Sequence, residues 1–144
     1  LEKVKLHKTK IDAAQDRFAI DQESNLFIST IEELENHTYY TLSLIKMGTM
    51  QEAYDKLVVV KNAVKIFVDQ QPLSNAQKSE KERGFAEIDR TMKALEATFS
   101  PVRTNLYRSP GNGSVSKYSE LSSQLTPVYA DINQVIQFLE EIKK

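Results

Sequence analysis

The sequence has no cysteine and no tryptophan, and only four glycines and four prolines among its 144 residues. The missing cysteine excludes disulfide scaffolds, thiol nucleophiles and thiolate metal sites. So few glycines and prolines argue against the frequent tight turns of an all-β fold. Neither charge is in surplus, with 19 Lys and Arg against 20 Asp and Glu, so the basic excess with which a nucleic-acid binder meets phosphates is absent. No apolar run approaches the ~20 residues of a membrane span. The longest, Val58 to Val60 and Val64 to Val68, is interrupted by Lys61 and Lys65. The opening residues do not read as a secretory leader. Membrane anchoring is expected only through segments outside this chain, which reads as an excised piece.

What remains is a composition with 40% hydrophobic and 27% charged residues, in the range of one globular domain. Its dominant signal is helical periodicity. Ile20, Phe27 and Leu34 lie seven apart, with Ile31 and Ile45 in the intervening seam. Leu6 and Ala13 extend that register backwards beside a row of Val4, Ile11 and Phe18. With no glycine or proline from Leu1 to Met47, the pattern predicts one long first helix, stopped at Gly48. Thr49 and Glu52 then have capping-box spacing, and a second helix carries Met50, Ala53, Tyr54, Leu57, Val60, Val64, Phe67 and Val68 on one face. Pro72 ends it, because the residue before a proline is pushed out of helical geometry.

Ser74 and Gln77 repeat the capping box and open a third helix, whose seam is Phe85, Ile88, Met92, Leu95, Phe99, Val102 and Leu106. Pro101 predicts a kink or break near Ser100. Ser109 to Ser114 is a turn-rich loop. The fourth helix repeats every three or four residues through Tyr118, Leu121, Leu125, Val128, Ile132, Val135, Leu139 and Ile142. Pro127, like Pro101, precedes an apolar position and is expected to face away from the core.

These segments predict an all-α, up-down-up-down antiparallel four-helix bundle with an extended N-terminal helix. Residues 24–144 form the bundle, and residues 1–23 overhang it. Apolar rows on an overhang need a partner. The expectation is a homodimer through helix one, the alternative being a fold-back near Asp21 to Asn25. The basic run Lys3, Lys5, Lys8 and Lys10, with His7, reads as a solvated helix face or as a segment lying by a membrane or phosphate surface.

Catalytic patterns are weak. His7 and His37 are too far apart to chelate together, and Leu34 precedes His37 where a helical di-metal motif needs Glu. Glu33 and His37 therefore read as an exposed pair, and neither a metal nor a cofactor is expected. Ser43 with Lys46, and Ser114 with Lys117, match a Ser-x-x-Lys pattern without its companion boxes. The carboxylate pairs Asp12 with Asp16 and Glu140 with Glu141 sit on charged helix faces. Asn36 and Asn112 begin glycosylation sequons at a frequency near chance.

One constellation stands out from this background. Tyr39, Tyr40 and Tyr54 flank Gly48, while Tyr107 and Tyr118 flank Gly111, with Arg103, Arg108, Lys46 and Lys117 nearby in sequence. In the expected bundle both tips share an end. Tyr40, Arg103, Tyr107, Arg108 and Tyr118 are therefore the candidate ligand-binding residues: tyrosine suits a half-wet site, and arginine binds carboxylates bidentately. The expected architecture resembles, in shape only, the extracytoplasmic four-helix sensor domains of chemoreceptors and histidine kinases. That resemblance implies a non-enzymatic domain, outside the cytoplasm, that binds a small polar or anionic ligand. The competing expectation is an adaptor or chaperone-like bundle, or an accessory segment of a larger surface protein. Exposed apolar residues such as Val58, Val59 and Ile66 would favour the adaptor.

Overall fold

The computed structural model describes residues 2–143. It contains four helices, α1 (Glu2–Asp12), α2 (Arg17–Asp69), α3 (Asn75–Arg108) and α4 (Val115–Lys143), and no strand among the described residues. Two of the four are not those the sequence predicts. The first predicted helix breaks early, at residues 13–16, where Asp16 caps α2 by accepting from the Ala19 amide at 2.7 Å. This capped start lies upstream of the Asp21–Asn25 stretch where a fold-back is predicted, and α2 runs straight across the predicted 23/24 boundary. The predicted stop at Gly48 does not occur either, because α2 continues through it to Asp69. Gly48 keeps ordinary helical sign, Gly111 being the only glycine with positive φ. Thr49 donates to the Ile45 carbonyl one turn back instead of capping a new helix. A glycine inside a helix costs only about 1 kcal/mol. Met47 and Met50, fully buried on either side of it, outweigh that.

The α2–α3 turn follows its sequence signals. Ser74 caps α3 by accepting from the Gln77 amide, and the Gln77 side chain accepts in return from the Ser74 amide at 3.0 Å. Pro101 and Pro127 lie inside unbroken helices, both exposed, so the predicted break at Ser100 is absent. Facing solvent, each proline removes one backbone hydrogen bond away from the packed seam.

α4 packs against both α2 and α3, and these two also touch each other. The core draws Met47, Met50, Leu57 and Val68 from α2. To these α3 adds Phe85, Ile88, Met92, Leu95 and Phe99, and α4 adds Leu121, Leu125, Val128, Ile132, Val135, Leu139 and Ile142. The α3 and α4 seams are thus buried as their spacing predicts, whereas on α2 Val60 and Phe67 stay exposed. The α3–α4 loop is locked onto α2. Gly111 adopts φ 75°, and a side chain on Gly113 would come within 2.2 Å of the Tyr40 backbone nitrogen. Only glycine tolerates either position.

α1 packs on α2 alone. Its inward side is marked by His7, buried, and Ile11, half-buried, four residues apart. His7 is buried, hydrogen-bonded through Nδ1 to Glu23 and through Nε2 to Thr30 at 3.2 Å, with its ring edge-on to Phe27. Lys10 approaches the same Glu23 carboxylate at 3.6 Å. One face of the overhang thus packs on its own chain, while Leu6, Phe18 and Ile20 of the same segment stay exposed.

Candidate functional site on the outer side of α2

α2 is apolar on two opposite sides. The inner row, Ser43, Met47, Met50, Tyr54, Leu57, Val64 and Val68, faces α3 and α4. A second row repeats by alternating steps of three and four: Leu42, Ile45, Thr49, Glu52, Lys56, Val59, Ala63 and Ile66. Every one of these eight residues is exposed, and Ile45, Val59 and Ile66 keep 61%, 68% and 60% of their surface. Val60 and Phe67 widen the row, each following a seam residue and each about half exposed. At 3.6 residues per turn such spacing puts the side chains in one stripe. A helix that packs by one side only carries polar residues on the other, and in this row of α2 only Thr49, Glu52 and Lys56 are polar. Lys56 bonds Glu52 at 2.6 Å across one helical turn, and this hydrogen-bonded cation holds the Glu52 carboxyl below the usual carboxylate range. The stripe is thus apolar at both ends and carries one ion pair in the middle.

The predicted tyrosine–arginine constellation is divided between different grooves. Tyr118 lies 6.0 Å from Tyr39, with the Lys46 ammonium 5.5 Å from its ring centre, on the α2–α4 side. Arg103 belongs to the α2–α3 side. It bonds Gln51, lies 3.5 Å from Glu96 and covers the face of Phe99. Tyr54 stacks on that same Phe99 ring, and burial raises its phenol above the ordinary value. Tyr107, one turn from Arg103, is exposed and lines a shallow groove of about 630 Å³ with Gly48, Gln51, Glu52, Asp55, Lys56, Val59 and Val60. Arg108 is exposed, and Tyr40 is half-buried beneath Gly113. The shared end that was to gather these residues depended on a tip at Gly48. With α2 continuous, Gly48 lies within the helix shaft.

The Ser-x-x-Lys pairs have structural roles. Ser43 donates to the Tyr39 carbonyl, and Ser114 caps α4 by accepting from the Lys117 amide. Asn112 is exposed in the loop, its side-chain oxygen held by Lys117 at 2.7 Å. The sequence reading missed the His7–Glu23–Thr30 cluster. Val4, His7, Ile11 and Ala14 share one face at helical spacing, and that was its available signal. No group of three or more His, Cys, Asp or Glu side chains is arranged for a metal ion among the described residues. No described helix is long and apolar enough to cross a membrane. Comparison with family models, with curated proteins and with solved structures finds no significant match.

Proposed function

We propose that this chain is a non-enzymatic helical module that works by binding another helix along the outer side of α2. The observation that carries this reading is the exposure of Leu42, Ile45, Val59 and Ile66 on one stripe. Exposed apolar patches beyond a few hundred Å² are rare on proteins that act alone. An amphipathic helix laid on such a stripe is a common recognition mode. The alternation of helix direction from α1 to α4 is part of the proposal. For α2 and α3 it is supported by Tyr54 on Phe99 and Lys61 on Asp89, where numbers rise on α2 as they fall on α3. For α2 and α4 it is supported by Tyr39 on Tyr118 and Lys46 on Ser122, where they rise together.

Selection of helical peptides from a displayed library tests it. The selected peptides should bind the wild-type chain and an Arg103→Ala variant alike, and should lose binding to an Ile45→Asp/Val59→Asp double variant. Peptides that bind the double variant equally well would refute the outer side of α2 as the binding face.

A ligand-sensing domain is the second reading, favoured by Tyr107 in the wall of the 630 Å³ groove and by Arg103, one turn away, bonding Gln51 of the same wall. Under it, a small carboxylate would raise the melting temperature of the wild-type chain and not of Arg103→Ala.

A further inference from the structure

The outer stripe of α2 has the same three-and-four spacing in both directions, with its one ion pair at the centre. Counted inward from its ends, Leu42 stands opposite Ile66, Ile45 opposite Ala63, Thr49 opposite Val59, and Glu52 opposite Lys56. All four pairs are equidistant from residue 54. Two copies of α2 laid antiparallel about a two-fold axis at that level would therefore meet in matched layers. Leu42 would lie on the partner copy's Ile66, Ile45 on its Ala63, and Glu52 on its Lys56. The steps of three and four are those of knobs-into-holes packing, and an interface about a two-fold axis must be self-complementary in this way.

We infer that the helix bound by the outer side of α2 is α2 of a second copy of this chain, antiparallel and centred between Glu52 and Lys56. This rests on the reading of that side as a binding face and names its occupant. Charge complementarity sets the direction. Antiparallel, the two copies form two Glu52–Lys56 pairs, whereas in a parallel pair Glu52 would meet Glu52 and Lys56 would meet Lys56. Small residues favour close approach, since Ala63 lies in the seam and Gly48 beside it has open space around its Cα. Leu42 to Ile66 extends over ~36 Å of helix. Such a strip offers about ten side chains per partner, fewer than the ~20–30 of a standard stable interface. The expected self-association is weak, with a dissociation constant on the order of micromolar or above.

Sedimentation equilibrium on the full chain tests this, with circular dichroism to verify that each variant stays helical. Glu52 and Lys56 are both exposed, so neither substitution removes core packing. The wild-type chain should dimerise. Glu52→Lys and Lys56→Glu should each weaken dimerisation by roughly tenfold or more, since each sets like charges opposite one another at both ends of the two-fold. Mixed in equal amounts, the two variants should pair with each other near wild-type strength, because every Lys then meets a Glu. A wild-type chain that stays monomeric at hundreds of micromolar would overturn the second copy as occupant, and peptide selection would then judge the binding face separately. Dimers indifferent to both reversals, or a mixture that fails to recover, would overturn this register.

Discussion

Met47 and Ile45 are two residues apart on α2 and have opposite surroundings. Met47 is fully buried between α3 and α4, while Ile45 keeps 61% of its surface in solvent. Both side chains are large and apolar, so side-chain chemistry does not separate them. What separates them is rotation about the helix axis, ~200° over two residues, which sends one to the packed side and the other to the outer stripe. The contrast teaches that an apolar repeat reports which residues seek burial but not which partner buries them. On α3 and α4 one stripe meets one core. On α2 there are two stripes, and the bundle has elements for only one.

The sharpest way to break this comparison is to truncate both residues. Met47→Ala should cost about 2–5 kcal/mol in urea unfolding, as large-to-small core changes do. Ile45→Ala, measured at concentrations where the chain is monomeric, should stay within about 0.5 kcal/mol. Equal costs would mean that the outer stripe is covered within one chain.

Two glycines extend the contrast to the backbone. Gly113→Ala sets a methyl group against the Tyr40 and Asn36 main chain, which should destabilise by about 1–3 kcal/mol, as overpacking does. Gly48→Ala meets nothing within 4 Å and should stabilise by about 0.5–1 kcal/mol, since alanine prefers a helix interior. Thermal unfolding of both variants checks the pair of signs. A destabilised Gly48→Ala would show that α2 bends or ends there.

α1 supplies a more local comparison. Its one buried polar cluster is His7 with Glu23 and Thr30, and it touches no other helix. In His7→Ala, hydrogen exchange at residues 2–12 should quicken while amides of α3 and α4 keep their protection. Loss of protection throughout would join α1 to the bundle as one cooperative unit.

The smallest effect expected is the titration of Tyr54. Burial, with Glu96 and Asp55 nearby, raises its folded-state value above 10.0. The stability this confers is complete below the unfolded value of about 10 and is lost as the pH rises through the folded one. The unfolding free energy measured above pH 10 should therefore decline less steeply in Tyr54→Phe than in the wild-type chain, and identical slopes would exclude Tyr54 as a source.

Helical class, the Ser74 cap, the Gly111 loop and the α3 and α4 seams were legible in the sequence. Each rests on short-range spacing, read from neighbours three and four residues away. The candidate site was legible in part. Of the three apolar residues read as outside the core, Val59 and Ile66 are exposed but Val58 packs against it. Ile45 was assigned to a core seam. The tyrosine–arginine grouping failed to converge because it inherited the turn placed at Gly48.

What the sequence determined by itself is where apolar side chains recur and where capping hydroxyls can start a helix. Whether Gly48 ends a helix, whether Ala13 to Asp16 interrupts one, and which side of α2 faces the core were decided by tertiary structure. Near these points the local preferences differ by only about 1 kcal/mol. The burial of Met47 and Met50 among side chains from α3 and α4 is worth several times that.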